Sequence, residues 1–367
     1  MTEKKIRVGI IGCGVIAKNH QQAFQAHPHA EVVGVVDVDI RRAQDFAAQW
    51  DIPNAYSDVA ELLASGIDAV AICTPHPTHE ALVIQAAEAG VHVLCEKPLS
   101  TDFAATQRMI TACENAGVLL SGMFQRRWWP AAQEIKAAVE HNPAIMGHVH
   151  LALHREHSYY TRDAWRGSWD ADGGGVMMNQ AVHYIDLLLW FMGDVVEVSG
   201  RLNSFKHADN IEVEDSAVAT LTFASGAMAT LNLTTSATPA FGATVHVTTR
   251  DGSSMTLLES PEGTEGRLIN NGHGDHIDST AAYPEGIVPN VDLRTINDQL
   301  IPFHTLQVAN FVDALLGTQQ LLVDGPEATK ALRTLLAVYQ SHRTGQPVLV
   351  GNTPAPTTVR VPEDIGI

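Results

Sequence analysis

The chain has 367 residues, 45% of them hydrophobic and 17% charged, with 41 acidic against 23 basic side chains and a formal net charge of −18. This composition excludes a disordered tail protein or a fibre. So acidic a surface repels phosphate backbones and anionic lipid, which argues against nucleic acid or membrane as the primary partner and leaves small molecules. The length predicts about two domains.

The leading residues, MTEKKIRVGIIG, lack the apolar core and small-residue cleavage site of a signal peptide. No run approaches the roughly 18 consecutive apolar residues of a membrane span. Cys13, Cys73, Cys95 and Cys113 all fall in the first third, at spacings that fit neither a disulfide frame nor a zinc site. The expectation is a reducing, cytoplasmic environment.

From Ile6 to Met123 short apolar runs alternate with helical stretches. Arg7–Ile11, Val32–Val36, Ala69–Cys73, His92–Cys95 and Val118–Ser121 read as strands buried on both faces. Asp58 and Glu61 form a capping-box pattern, Thr78 is placed to cap the helix running to Ala89, and Gly90 and Gly117 stand just past helix ends. Strand–helix–strand repeated in this way predicts a doubly wound parallel sheet over residues 1–122.

After residue 122 the rhythm changes. Helices are expected around Pro130–Glu140 and Gly175–Met192, then strands at Ser216–Phe223, Ala227–Thr234, Ala243–Thr249 and Ser253–Leu258, with hairpin signals at Gly226 and Asp251-Gly252. Residues 259–303 read as a long loop, and helices at about 304–316 and 326–343 follow. Residues 123–367 are thus expected to form an α+β domain with a large, mostly antiparallel open sheet.

Gly12-Cys-Gly14-Val15-Ile16-Ala17 follows the first strand and opens the first helix. Gly12 permits the tight turn, Gly14 the close approach of a pyrophosphate, and Ala17 the packing of helix on strand. The helix start offers N–H groups and a positive dipole end to the phosphates. Asp37 ends the second strand 23 residues after Gly14, where a carboxylate accepts both ribose hydroxyls and disfavours a 2′-phosphate, so NAD is preferred over NADP. Arg41 and Arg42, which follow, keep NADP open. Thr74, Pro75 and His79 begin at the carboxyl end of the fourth strand and Glu96-Lys97-Pro98 at that of the fifth, where doubly wound sheets bind their ligands.

The segment GVMMNQAVHYIDLLLWFM, residues 175–192, is apolar around most of its circumference and is expected to be buried. Asn179, His183 and Asp186 interrupt it at i, i+4, i+7 and so share one stripe. Buried polar groups require partners, which protein or a substrate in a cleft can supply. Gly173-Gly174-Gly175, just before, would let a ligand approach a helix start. Upstream lie Tyr159, Tyr160, Trp165, Arg166, Trp169 and Asp172, and Arg126 and Arg127 precede Trp128 and Trp129. Flat aromatics beside charged groups suit a sugar, and Arg126, Arg127, Tyr159, Tyr160, Trp165, Arg166, Asn179 and His183 are the expected substrate contacts. His148, His150 and His154 would share one strand face, with His157 nearby, but no closed ligand set accompanies them and no metal is expected.

Together the Gly12–Ala17 turn, Glu96-Lys97-Pro98, the triple glycine and Asn179-Gln-Ala-Val-His183-Tyr-Ile-Asp186 resemble the Gfo/Idh/MocA oxidoreductases over nearly the whole chain. The resemblance implies a Rossmann domain followed by an open-sheet domain that often mediates dimers or tetramers. It implies a cis Lys97–Pro98 bond, and it implies that Lys97 and His183 act at the reacting carbon. The family's aspartate at the start of its D-x-x-x-H element is Asn179 here, which cannot take a proton.

The expected activity is oxidation of a secondary alcohol of a sugar, glycoside or cyclic polyol by NAD. His183 would take the hydroxyl proton as a general base of ordinary pKa, about 6.5, and Lys97 would stabilise the oxygen as it gains charge. The rival readings are an NAD-dependent glycosidase working through transient oxidation, a non-catalytic sensor of NAD or sugar, and a zinc alcohol dehydrogenase, for which no catalytic zinc set is apparent.

Overall fold

The structure, a computed structural model, describes residues 5–163, 165–271 and 293–351. The described residues divide into two compact units. One takes the chain up to Ser100, then Ala104–Gln125 and Asn297–Thr329; the other takes Thr101–Phe103, Arg126–Ile296 and the chain from Lys330. The expected single boundary at residue 122 therefore becomes a chain that returns to its first unit late. Local patterning carries no sign of that return.

The first unit holds a six-stranded parallel sheet. Its strands are β1 (Ile6–Ile11), β2 (Ala30–Val36), β3 (Ala55–Tyr56), β4 (Ala69–Ile72), β5 (His92–Cys95) and β6 (Leu120–Gly122), in the order β3-β2-β1-β4-β5-β6. The order reverses between β1 and β4, so the crevice for a ligand opens beyond the carboxyl ends of those two strands. Val8, Ile10, Val35, Ala69, Ala71 and Leu94 are fully buried, as strands covered on both faces require. The helices are α1 (Ala17–Ala26), α2 (Ile40–Gln49), α3 (Val59–Leu63), α4 (His79–Glu88) and α5 (Phe103–Ala116). Asp58 caps α3 by accepting from the Ala60 N–H at 2.8 Å, and Gly90 and Gly117 take the left-handed conformation expected past helix ends. Thr78 does not cap α4: a short 3₁₀ turn, His76–Thr78, precedes that helix, and the Thr78 hydroxyl donates to Pro75 O at 2.8 Å and lies 2.7 Å from the Thr74 hydroxyl.

The second unit is built on an eight-stranded sheet. To β7 (Ala144–Ala152), β8 (Val195–Asn203), β9 (Ser216–Phe223), β10 (Met228–Thr234), β11 (Gly242–Thr249), β12 (Ser254–Glu259) and β13 (Arg267–Asn271) it adds β14 (Val348–Leu349), in the order β13-β12-β11-β7-β10-β9-β8-β14. Every neighbouring pair is antiparallel except β7 with β10. The hairpins turn at Gly226 and Gly252, both with positive φ. Along β9 and β10 residues alternate: Ala217, Ala219, Leu221, Ala229, Leu231 and Leu233 are buried, while Val218 and Met228 are exposed.

The buried face of this sheet carries α8 (Val182–Met192), and α6 (Pro130–His141) and the short α7 (His157–Thr161) precede it in the chain. Gly147 of β7 makes the close approach of α8 possible, since a Cβ there would stand 2.5 Å from Met192 Sδ. Residues 259–303 are not one long loop. They contain β13, and α9 (Leu293–Leu315) begins well before the expected start at 304; residues 272–292 lie outside the described residues. Pro302 inside α9 obscured the helix, because proline usually marks a boundary. The last helix among the described residues, α10, spans Gly325–Thr344. Among the described residues no helix is long and apolar enough to cross a membrane.

Candidate functional site

In the first unit the β1–α1 turn is shaped for a phosphate. Gly12 has φ +91°, and a Cβ there would stand 2.8 Å from Thr74 Cγ2 and 2.9 Å from Cys73 O, so the loops after β1 and β4 touch at the switch point. A Cβ on Gly14 would meet nothing within 4 Å, which leaves open space in front of the turn. Val15 is 47% exposed beside it. Helix α1 starts without a side-chain cap and with no acidic residue in its first turn, so its positive end is left for an anion. These features fit a dinucleotide pyrophosphate.

Asp37, at the end of β2, is buried and fixed. Its Oδ2 accepts the Cys13 N–H at 2.9 Å, its Oδ1 accepts the Asp39 N–H at 3.0 Å, and Arg42 Nη1 approaches Oδ1 at 3.2 Å. The carboxylate that would select NAD thus also braces the phosphate turn, and the nearby arginine is paired with it. All four cysteines are buried thiols; burial, helped by Asp37, pushes Cys13 up to about 12.

The Lys97–Pro98 peptide is cis, as the resemblance implied. Glu96 anchors this loop: its Oε2 accepts the Lys97 N–H at 3.2 Å, and its Oε1 lies 2.8 Å from His20 Nε2 and 4.0 Å from His304 Nε2. Burial raises the Glu96 carboxyl, but the hydrogen bond from His20 and the positive charges of His20, His304 and Lys97 outweigh it and bring it down to about 2. His20, Glu96 and His304 offer ligand atoms within 4.8 Å of one another, a spacing a metal ion could use. Motif reasoning missed His20 and His304. The available signal was the run Asn19-His20-Gln21, three polar residues in a row that α1 buries.

His79, expected at the cofactor, is fully buried, with its ring nitrogens 2.8 Å from Thr74 O and 3.0 Å from Pro98 O. It ties together the loops after β4 and β5, of which Pro75 is exposed and Thr74, Glu96 and Lys97 are half-buried.

In the second unit the polar stripe is resolved residue by residue. The helix opens with a π-helical segment, Met177–Ala181, before α8, so Asn179 sits on a wider turn than His183 and Asp186. Asp186 is held by Arg127 in a fully buried two-point ion pair, with Nε to Oδ2 at 2.8 Å and Nη2 to Oδ1 at 2.6 Å. Arg126 makes the equivalent pair with Glu259 at 3.0 and 3.1 Å, and Tyr184 also donates to Glu259. The two arginines expected to meet substrate therefore have protein carboxylates as partners.

The triple glycine makes room for the chain itself. A Cβ on Gly175 would stand 1.7 Å from Glu214 O, one on Gly174 would stand 2.1 Å from the Tyr339 hydroxyl, and one on Gly173 would meet Thr101. The Glu214 carboxylate occupies the helix start, accepting N–H groups of Gly175 at 2.9 Å and Met177 at 3.0 Å and the Tyr339 hydroxyl at 2.9 Å. Burial pushes Glu214 up to about 7 against the pull of these donors. An internal carboxylate thus fills the place expected for a ligand.

Tyr159, Trp165 and Arg166 do form one cluster. The Arg166 guanidinium lies 4.4 Å from the Trp165 ring centroid and 4.7 Å from that of Tyr159, and the Tyr159 hydroxyl accepts from Arg166 at 2.8 Å and from Gln180 at 2.9 Å. Tyr160 turns inward to pack on Ile211 and Val213, with its hydroxyl 3.0 Å from Thr235 Oγ1. His148 stacks on His246 at 4.7 Å, whereas His154 is buried between Glu156 and the Ala237 carbonyl, so those histidines are not gathered.

His183 is buried on α8 one turn after Asn179. The Asn179 amide donates to Asp172 Oδ1 at 2.9 Å, Gly174 O at 3.1 Å and Gly175 O at 3.3 Å. These three partners are all acceptors, which suits an amide where the family pattern has a carboxylate. In the variant Asn179→Asp a second carboxylate would face Asp172, and the aspartic acid would be pushed above its ordinary range by that charge and by burial. Such a group stabilises the fold below its unfolded pKa, and that contribution is lost as pH rises through the folded value. Asn179→Asp is therefore expected to lose about 2 kcal/mol at pH 8 and less at pH 5, measured by urea unfolding at both pH values.

Comparison with known proteins agrees with this geometry. A model described as the GFO_IDH_MocA oxidoreductase family with an NAD-binding Rossmann fold matches residues 6–124, and one described as the GFO/IDH/MocA C-terminal domain matches residues 144–254. The chain is 31% identical over 231 residues to the myo-inositol 2-dehydrogenase of Thermotoga maritima, covering 62% of this chain and 68% of that one. It is 27% identical over 366 residues to the D-apiose dehydrogenase of Paraburkholderia graminis, covering 95% and 90%. Among solved structures, the WlbA dehydrogenase from Bordetella pertussis, in complex with NADH and UDP-GlcNAcA, matches with a TM-score of 0.81 at 30% identity, covering 95% of this chain and 99% of that one. A glycine turn at the switch point, a buried aspartate after the second strand and a Glu-Lys-Pro loop are thus explained together: the chain belongs to the Gfo/Idh/MocA family and is an NAD-dependent oxidoreductase with a Rossmann domain for its cofactor.

Proposed function

We propose that this enzyme oxidises a secondary alcohol of a sugar, glycoside or cyclic polyol, with Lys97 and His183 acting on the same carbinol. The observation that carries the reading is Lys97 at the carboxyl end of β5, its backbone N–H held by the depressed carboxylate of Glu96. The relatives add support, because the enzymes named above are dehydrogenases of D-apiose and myo-inositol and a dehydrogenase crystallised with NADH and UDP-GlcNAcA.

The Gly12–Ile16 turn and Asp37 would hold NAD, with Thr74, Pro75 and Glu96 beside it, and NADP would meet the carboxylate of Asp37. When bound, the nicotinamide supplies the hydride acceptor. Lys97 donates a hydrogen bond to the alcohol oxygen as negative charge grows there. His183 takes the hydroxyl proton. Tyr159, Trp165 and Arg166 offer stacked ring faces and a cation edge suited to a pyranose. Asn179 holds Asp172 and the glycine carbonyls, and so sets the turn from which His183 projects.

The test is a panel of inositols, free sugars, glycosides and nucleotide sugars, read at the nicotinamide absorbance with NAD and with NADP. NADH production from at least one cyclic alcohol is expected. Release of an aglycone with no net NADH would favour a glycosidase, and tight NADH binding without turnover on any member would favour a sensor. The reading extends to a cytoplasmic homodimer or homotetramer joined through the open sheet, whose solvent face presents Met146, Val218 and Met228. Sedimentation measures that directly.

A further inference from the structure

His79 is the first residue of α4 and has no exposed surface. Its Nε2 lies 2.8 Å from Thr74 O and its Nδ1 lies 3.0 Å from Pro98 O. Both partners are backbone carbonyls, which accept hydrogen bonds and never donate them. A neutral imidazole has one N–H, so whichever nitrogen lacked the proton would aim its lone pair at an oxygen lone pair at hydrogen-bond distance. Only the imidazolium satisfies both contacts, and each then becomes a charge-assisted bond.

Burial outweighs the carbonyls of Thr74 and Pro98, the Leu99 backbone and the charge of Glu96 and holds this imidazole below its ordinary value, so it is the two acceptor contacts, not the titration, that call for the second ring proton. Among the described residues the ionisable groups around the ring are few. The His76 ring is 6.0 Å away on the preceding 3₁₀ turn, Glu96 stands at the end of β5, and Glu80 follows on α4 itself, paired with Arg108. Cys73 and Cys95, at the ends of β4 and β5, are buried thiols held neutral by their surroundings.

We infer that His79 is a positioning residue, a buried imidazolium that cross-links the loops after β4 and β5 and fixes the backbone from which Lys97 projects. Lys97 is then held on both sides: Glu96 accepts its own N–H, and His79 donates to the carbonyl of the next residue, Pro98. Because Thr74 is the other anchor, the same ring couples the cofactor-side loop to the lysine loop. The functional half of this inference rests on the reading of Lys97 as the ammonium at the reacting carbon; the charge on His79 does not.

Neutron diffraction from deuterated crystals of the full chain at pH 8 reads that charge without turnover. Deuterium on both His79 ring nitrogens is expected, and density on only one overturns the inference. For the functional half, the variant His79→Gln cannot bridge both carbonyls. It is expected to lower kcat on the order of tenfold to a hundredfold while the Kd for NADH moves much less. Unchanged kcat, or a loss that appears wholly in NADH affinity, overturns the positioning role. If that variant fails to fold, the neutron map still decides the inference. Failure of the Lys97 reading is separable, because Lys97→Ala would then keep its turnover whatever the deuterons on His79 show.

Discussion

Replacing Lys97 by alanine is expected to lower kcat on the order of 10²- to 10³-fold or more while NADH still binds. The argument is local. Lys97 sits beyond the carboxyl end of β5, next but one to the switch point in the sheet, and its main chain is fixed by Glu96. An ammonium held there stabilises an alkoxide-like oxygen through an interaction that strengthens as the reaction proceeds, so its loss falls on kcat rather than on cofactor affinity. The groups that would hold the phosphates and ribose of NAD lie on other loops, Gly12 and Gly14 after β1 and Asp37 after β2, and of the lysine's own loop Glu96 would stand beside the cofactor. Stopped-flow turnover on the best panel substrate, with NADH affinity from its fluorescence, separates the two effects. Full turnover in Lys97→Ala would remove this lysine from the mechanism.

The second large effect is on stability. Arg127 and Asp186 are both about 1% exposed and meet through two hydrogen bonds, while the guanidinium also lies 5.3 Å from the Trp190 ring centroid. Removing the arginine alone takes its countercharge and two charge-assisted hydrogen bonds from a carboxylate held away from water, a loss of about 3–5 kcal/mol. In thermal unfolding Arg127→Ala is then expected to lower Tm by roughly 10 °C. Replacing both partners by apolar side chains of similar volume, Arg127→Met with Asp186→Leu, should recover much of that loss, since no charge is left unpaired. An Arg127→Ala protein with unchanged Tm and a raised KM would instead restore the expected contact with substrate.

These two residues mark where the sequence is legible and where it is not. Gly12, Gly14 and Asp37 stand out because the glycine turn and the acidic residue after the second strand fall within 26 residues of chain, in fixed order with strand and helix, and the fold joins them through the Cys13 N–H on Asp37. The strands of the first sheet read out equally well, since burial on both faces leaves continuous apolar runs. Partners distant in sequence are invisible to such reading. Arg127 finds Asp186 59 residues on, and Arg126 finds Glu259 133 residues on. Read locally, two adjacent arginines beside tryptophans look like ligand contacts; folded, they are internal ion pairs.

The triple glycine failed for the same reason. A helix start with three glycines resembles an anion cradle until a distant strand lead-in brings Glu214 into it. Strand β8 escaped notice because Glu197, Gly200 and Arg201 interrupt its apolar run. Asn179 shows the converse: the departure from the family pattern was plain in the sequence, but its cause, a neighbouring carboxylate at Asp172, required the fold.

The account depends on Lys97 and His183 serving one transition state. A double-mutant cycle on kcat tests this most directly, comparing Lys97→Ala, His183→Ala and the double variant with the parent enzyme on one substrate, each checked for retained NADH binding and Tm. Residues that act as a unit lose their effect together, so the double variant is predicted to be little slower than the slower single variant. Losses that multiply as independent factors, or a single variant at parental speed, would contradict it.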